Sequence, residues 1–439
     1  MTGSPRSRGG LWRERDFRLF WTGETASEVG SAVTIVALPL VAVLTLHAST
    51  FAVTTLTAST WLPWLVIGIP AGAWVDRLPA RPVMVTSDAV SLIAFASVPA
   101  AAWIGVLSIA QLVAVALVTG TASVFFNTAY QVLLPSLIDE ADLAEGNAKL
   151  TGSQSAAQIS GPGIGGALAQ IAGPATGLLV DAASFVASIL CLAAIHPRQR
   201  PRQPADPARS LTKEAGRGLR LVWTDPYLRA QVIFGSAANL THTGIEALSV
   251  VFLVRSVGLN SAAVGALMAV LGVGGLLGAV AARPLARRIG TSRTILVTTI
   301  GCLPFGLLLP LTHAGAGIAF AAAANLITSA GIVASNIIGA TFRQSYVPPE
   351  MLGRASSAVM TAAFATMPAG ALLAGVLASN IGTRETLWLL AGGTSITGIP
   401  FLFTPLRHLR DFPSPNRDAV NDDADLHNLQ PPASPTKAR

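Results

Sequence analysis

The sequence predicts an all-α membrane protein, with twelve transmembrane helices arranged as two six-helix pseudo-repeats. Three observations carry this reading. Only 12% of the 439 residues are charged and 51% are hydrophobic, with a mean hydropathy of +0.58. Soluble chains carry about 25% charge, and two or three soluble domains, which this length would allow, could not be covered with so few charges. The apolar residues also fall in long runs separated by short polar loops, and parts of the chain repeat.

A helix needs about 20 apolar residues to cross a bilayer. Twelve segments qualify, at residues 18–46, 51–74, 83–104, 107–134, 150–171, 174–196, 229–254, 261–282, 292–312, 315–341, 355–379 and 384–405. Two of them are dense in glycine, which suits close helix packing in lipid. The start, MTGSPRSRGGLWRERDFRLFW, is basic and runs into the first segment. It lacks the short apolar core and small-residue cleavage site of a signal peptide, so it reads as a retained first helix. The stretch 197–228 is a long polar linker, Pro-rich at first. Its second part, LTKEAGRGLRLVW, is patterned as an amphipathic helix on the membrane surface. From about Arg407 the tail is polar, Pro-rich and expected to be disordered.

Charge fixes the expected orientation. With the N-terminus cytoplasmic, all of the 29 Lys and Arg except Arg255 and Arg384 fall on the cytoplasmic side, as the positive-inside rule demands. The expected organisation is a cytoplasmic N-terminus (1–17), a six-helix bundle (18–196), a cytoplasmic linker (197–228), a second bundle (229–405) and a cytoplasmic tail (406–439). The net charge of +7 is therefore read as membrane topology. No basic run is interleaved with aromatics, so nucleic acid is not an expected partner. Cys191 and Cys302 lie inside apolar runs and read as small hydrophobes, with no disulfide and no metal site.

The repeat is visible in two places. TAYQVLLPSLIDEADLAEGNAKL follows the fourth segment and ATFRQSYVPPEMLGRASSAVM follows the tenth, aligning Gln131 with Gln344 and Pro135 with Pro348. GAWVDRLPARPVM follows the second and GAVAARPLARRIGTSRTI the eighth, aligning Gly72 with Gly278 and Arg77 with Arg283. Each half thus holds six helices, joined by the linker.

Two such halves resemble the major facilitator superfamily, over roughly residues 12–406. Gly72, Asp76, Arg77 and Arg81 match its Gly-x-x-x-Asp-Arg-x-Gly-Arg-Lys/Arg signature between helices two and three. Pro79 and Ala80 depart from it. On physical grounds Gly72 is expected to let a neighbouring helix approach, and Asp76 to face a helix N-terminus. Arg77 and Arg81 are expected to pair with carboxylates such as Asp88 or Asp139 in a gating network at the cytoplasmic mouth. The alternative is that these charges are topology anchors only. In the fifth segment, Gly161-Pro162-Gly163-Ile164-Gly165-Gly166 is similar to the Gly-Pro-x-x-Gly-Gly motif of the superfamily's drug:proton antiporters, although Ala157 stands where a further glycine is expected. Proline kinks a helix and the glycines let it pack tightly; a generic Pro/Gly kink is the alternative. LPSLIDEADLAEGNA and EAGRGLRLVWTDPYLRA resemble the enterobactin-exporter and macrolide-efflux branch. The resemblance implies export of small amphiphilic molecules by alternating access, by a monomer.

The energy source is read from ionisable groups inside the spans. No Walker motif occurs, which argues against ATP. Glu24 and Glu28, four residues apart in the first segment, share a helix face. Glu28 is expected roughly 13–15 Å from the cytoplasmic end. An ionised carboxylate there is costly, so it should face a water-filled cavity and exchange a proton. In the seventh segment, the equivalent of the first in the repeat, His242 and Glu246 have the same spacing; Glu246 does not align with Glu28, so only the location is shared, and His242 could instead bridge to a neighbouring helix. Asp181 reads as structural. Asn127, Tyr130, Gln131, Gln154, Gln158, Asn239, Asn325 and Asn336 are candidate cavity-lining groups, and such groups also glue helices together.

No cofactor is expected; the expected partners are a small-molecule substrate, protons and the lipid bilayer. An importer of the same fold is the alternative transporter. A membrane enzyme would need a catalytic set, and no HExxH pair occurs. A sensor would need a sizeable soluble output domain, and the longest polar stretches are the linker and the tail.

Overall fold

The structure, a computed structural model, describes residues 11–75, 77–196, 220, 222–347, 349–403 and 409–412. The described residues form twelve helical rods: α1 (Arg15–Leu40, prolonged by a π-turn to Thr45), α2 (Thr50–Val75), α3 (Ala80–Trp103), α4 (Ile109–Leu137), α5 (Leu143–Ala172), α6 (Thr176–Ala194), α7 (Pro226–Val251, prolonged to Ser256), α8 (Ser261–Ile289), α9 (Thr291–Leu311), α10 (Ile318–Tyr346), α11 (Pro349–Ile381) and α12 (Thr383–Ile396). The proposed amphipathic helix of the linker, apart from residues 220, 222 and 223, and the tail beyond Phe412 lie outside the described residues.

Local chemistry explains several boundaries. Ser108 caps α4 by accepting from the Gln111 amide, and Asn260 caps α8 by accepting from Ala263. Asp225 caps α7 twice, accepting from Tyr227 and Leu228, with Pro226 in the first turn where its missing N–H costs nothing. Gly173 (φ 91°) and Gly382 (φ 101°) supply the left-handed turns that reverse the chain between α5 and α6 and between α11 and α12.

Ten rods are long and apolar enough to cross a membrane. The other two are α5 and α12. The sequence of α5 is rich in Gly, Ser and Gln; it is covered by α1 and α8 rather than by lipid, so its composition need not be greasy. Rod α12 is interrupted at Thr397–Gly398 before a last turn, Ile399–Leu402. Rod α9 passes from α-helix through a π-stretch to a 3-10 stretch that holds Pro304 and Pro310, where the missing proline N–H groups break the regular ladder. Several rods overrun the expected spans: α5 begins at Leu143 rather than 150 and α11 at Pro349 rather than 355, while α8 ends at Ile289 rather than 282 and α10 at Tyr346 rather than 341. Hydropathy marks where lipid begins, whereas the backbone bonds continue past it.

Rods α1 to α6 form one bundle, with α1 on α5 and α6, α2 on α4, and α3 on α4 and α6. Rods α7 to α12 form the second, with α8 on α10 and α7 on α11 and α12. The bundles meet chiefly where α5 crosses α8 and where α11 crosses α2. Advancing each label by six converts one crossing into the other, so the interface has the symmetry of the repeat.

The two ends of the molecule differ. One carries most of the described Lys and Arg and is called the basic end here; the far end carries Arg255 and Arg384. At the far end the bundles share their cores. Val36, Leu40 and Ala169 of the first pack with Leu248, Phe252, Leu267 and Leu390 of the second, and Val251 packs among Val43, Val53 and Leu56. Arg255 Nη2 donates to the Ala48 carbonyl at 2.6 Å. At the basic end the cores are separate. Phe17, Phe20, Met84 and Leu133 belong to a cluster of the first bundle alone, while Phe342, Val347 and Val359 belong to the second. The molecule is therefore closed at the far end and parted at the basic end.

The α5–α8 crossing depends on missing side chains. A Cβ on Gly166 would lie 2.7 Å from Gly265 Cα, and one on Gly272 would lie 2.7 Å from the Gln158 carbonyl oxygen. On its other side α5 presses on α1, where a Cβ on Gly165 would meet the Val33 oxygen at 2.8 Å. Nearer the basic end α5 and α8 border a cleft of about 600 Å³, lined by Thr151, Ser155, Ile159 and Leu276. Overpacking such a contact costs about 1–3 kcal/mol. Gly265→Val should lower the melting temperature by several degrees, whereas Gly163→Ala, whose nearest neighbour would be Ala269 Cβ at 3.9 Å, should not. Thermal melts in detergent check this.

Candidate functional site

Helix α1 delivers two carboxylates into the space where the bundles part. Glu24 and Glu28 are half-buried and one turn apart. Glu28 Oε1 accepts from Gln154 Nε2 of α5 at 3.0 Å. Tyr130 of α4 packs on Phe20 at 5.4 Å between ring centroids and lies within electrostatic reach of both glutamates. Glu24 also feels Asp88 of α3. The fold thus gathers Glu24, Glu28, Tyr130 and Gln154 from three helices, and among the described residues no basic side chain pairs with either glutamate.

The remaining candidates divide. Gln131, Gln158 and Asn336 are exposed. Asn127 is exposed and folds back on Ser123 of its own helix. Asn239 of α7 donates to the Ala363 carbonyl of α11 at 3.3 Å. Asn325 does not line a cavity: it is 7% exposed and donates to the Leu267 carbonyl at 2.9 Å, tying α10 to α8. Its neighbour one turn on, Ser329, does the same to Leu271 at 2.7 Å. On α7, His242 is half-buried and Glu246 is exposed, and among the described residues neither has a hydrogen-bond or ion-pair partner. Among the described residues no group of three or more His, Cys, Asp or Glu could hold a metal ion.

The loop after α2 differs from expectation. A Cβ on Gly72 would meet nothing within 4 Å, because the bundles are parted at this end and no helix lies against it. Asp76 lies outside the described residues. Arg77 is exposed. Arg81 does not pair with Asp88 or Asp139: its Nε donates to the Leu192 carbonyl at 2.7 Å and its Nη2 to the Ala193 carbonyl, capping the last turn of α6. The helix dipole explains the choice, since a guanidinium is favoured at a helix C-terminus. Asp88 is 2% exposed and turns into the first bundle, near Ser188, Asp181 and Glu24, away from the loop.

Sequence reasoning missed an aromatic bridge. Trp61 and Trp64 of α2 face Phe364 of α11, with centroids 6.0 and 5.3 Å apart. Beside it, Ala58, Ala247 and Ala371 pack α2, α7 and α11 together. The signal was one helical turn between two tryptophans (three positions), but nothing in a single sequence marks which apolar face meets the other bundle. The structure also gives Asp181 two partners, Thr34 Oγ1 at 2.6 Å and Ser184 Oγ at 3.3 Å.

Two bundles related by a repeat, joined by glycine-lined crossings, closed at one end and open at the other around unpaired acids, define a membrane transporter of the alternating-access kind. The chain belongs to the Major Facilitator Superfamily, whose family description matches residues 20–369. It is 30% identical over 403 residues to the multidrug efflux pump Tap of Mycolicibacterium fortuitum, covering 87% of this chain and 93% of that protein. The Tap protein of Mycobacterium tuberculosis H37Rv is also 30% identical over 403 residues, covering 87% and 91%. Among solved structures, a D323A mutant of the nucleoside transporter NupG superposes with a TM-score of 0.74 at 13% identity, covering 89% of this chain and 100% of that one. A bacterial homologue of the iron transporter ferroportin in its inward-facing state gives 0.70 at 17% identity, covering 90% and 98%. At those identities the likeness is one of fold.

Hydrogen bonds from a charged donor contribute about 1.5–3 kcal/mol. Arg81→Ala should therefore lower thermal stability measurably, while Arg77→Ala, at an exposed side chain, should leave the melting temperature unchanged. If both variants melted like the parent protein, the cap would carry no weight.

Proposed function

We propose that this chain is a secondary active transporter that exports small amphiphilic molecules by alternating access, driven by proton antiport. The observation that carries the reading is the Glu24–Glu28 pair, with Glu28 bonded to Gln154 and Tyr130 within electrostatic reach of both, and without a basic partner among the described residues. Carboxylates at that depth are expensive to keep charged and open to water only on one side at a time, which is what proton coupling requires. The 30% identity with Tap efflux pumps over most of both chains supports export over import.

In this reading the basic end and both termini are cytoplasmic, following the distribution of Lys and Arg. The structure is then the inward-facing state, ready to take substrate from the cytoplasm. The exposed amides Gln131, Gln158 and Asn336 offer adaptable hydrogen bonds, while Trp61, Trp64 and Phe364 offer flat apolar faces; the acids favour cationic amphiphiles. Glu246 of α7 is an acid on the helix that corresponds to α1 in the second bundle, although it does not align with Glu28. Arg77, which is exposed, and Gly72, which has open space beside it, face a partner when the basic end closes. The protein acts as a monomer, since each chain holds both bundles.

Everted membrane vesicles with an acidic interior test this. A lipophilic cationic dye such as ethidium should collapse the pH gradient in a protein-dependent way. Glu28→Gln should abolish gradient-driven accumulation while sparing dye exchange. Continued proton-driven accumulation by that variant would move the coupling role elsewhere. Trp61→Ala should raise the KM for the dye severalfold with a smaller effect on the maximal rate; an unchanged KM would remove the aromatic bridge from the substrate path.

A further inference from the structure

The acids of the first bundle extend beyond the transport cavity. Asp88 is 2% and Asp181 0% exposed. Asp181, Ser184 and Ser188 follow one another on α6 at spacings of three and four, so they share a face. That face meets α1 at Gly23, Gly30 and Thr34. Gly30 makes the room: a Cβ there would lie 2.8 Å from Ser184 Cβ. Thr34 donates to Asp181 at 2.6 Å, and Ser184 Oγ is 3.3 Å from it. Ser188, 1% exposed, lies beside Asp88, whose Oδ2 is buried and has no partner.

The acids feel one another in order. Glu28 and Asp88 both act on Glu24, and Asp181 acts on Asp88. The titratable groups facing this seam are Glu24 and Glu28 on α1, Asp88 on α3, Tyr130 on α4, and Asp181 and Cys191 on α6. Among the described residues no Lys, Arg or His bonds to any of the four acids. Structural buried carboxylates are ordinarily paired with a cation or fully hydrogen-bonded. Asp88, with one oxygen unpartnered, is neither. Asp181 stands five residues from the far-end start of α6, and Asp88 eight residues from the basic-end start of α3. The seam therefore spans the middle of the bundle, behind α1 as seen from the other bundle.

We propose that Asp88 and Asp181, linked through the hydroxyls of Ser188 and Ser184, form a second proton-carrying site inside the first bundle, and that the coupling proton passes between the far end and Glu24 along this α1–α3–α6 seam rather than through the substrate cavity. The inference rests on the proton-antiport reading above. Each step breaks one O–H bond and forms another on the next oxygen. A serine hydroxyl takes a proton on one side as it gives one up on the other, and no electrons are transferred. Leu178, in the same apolar cluster as Ala37, closes the far side of Asp181 in this conformation, so the seam does not leak while the basic end is open.

The test uses full-length protein in liposomes with ethidium as the probe. Two rates are compared: dye exchange without a gradient, and dye accumulation under an imposed pH gradient. Asp88→Asn and Asp181→Asn should keep exchange within about twofold of the parent protein and slow driven accumulation at least tenfold. Asp181→Glu should recover part of the loss. Ser188→Ala, which leaves all four acids in place, should slow driven accumulation alone. The proposal is overturned if the Asn variants accumulate dye at the parent rate, or if both rates fall by the same factor, which is the signature of structural damage. A parent protein that exchanges dye but ignores the gradient would instead sink the antiport reading, and this proposal with it.

Discussion

The close passage of α5 against α8 is the constraint on which the rest of this structure depends. Gly166 and Gly265 bring two backbones together at a separation that no side chain would permit. With Gly161 and Gly165 turned toward α1, α5 becomes a pivot pressed between its own bundle and the opposite one. Backbone contacts of this kind form a smooth seam with few interlocking side chains. One bundle can tilt on the other about such a seam without prising apart a jigsaw of large residues. The α2–α11 crossing, the counterpart of α5–α8 in the six-helix repeat, supplies the second seam, with Gly375 against Thr54 and the aromatic bridge alongside.

From that pivot the division of labour follows. The far end buries a shared apolar core, and the Arg255 contact to Ala48 adds one charge-assisted bond. The basic end keeps two private cores and leaves open space at Gly72. Opening therefore does not cost either bundle its own packing; it trades one inter-bundle interface for another. The acids sit where such a trade is felt. Glu24 and Glu28 border the parted space, while Asp88 and Asp181 lie deeper in the same bundle.

Much of the architecture was legible in the sequence because lipid imposes a strong, simple pattern. Apolar runs, basic loops and two short repeats were enough for the helical membrane class and the superfamily. Boundaries were less legible: α5 begins seven residues before its apolar run because hydrogen bonding does not stop at the membrane surface. The pairing of Arg81 was misread. Sequence spacing offered carboxylates, but a helix C-terminus with unsatisfied carbonyls was nearer, and only the fold brings α6 back to α3. Asn325 was placed in a cavity because a polar residue in a span suggests one, whereas it spends its donor on a neighbouring backbone. The Glu28–Gln154 contact joins residues 126 positions apart, and no local pattern announces it. Asp181 read as structural, and its company with Asp88 is visible only in three dimensions.

Paired spin labels at Arg77 and Arg283, exposed residues near the basic ends of α2 and α8, would test the rocking account most directly when combined with a second pair across the far end at Ser49 and Asn260. Distances would be read by pulsed electron resonance in nanodiscs at several pH values, with and without ethidium. The account predicts two populations at each end that exchange in opposite senses, the basic-end distance shortening as the far-end distance lengthens. A single unchanging distance at either end, in protein that still transports dye, would contradict it.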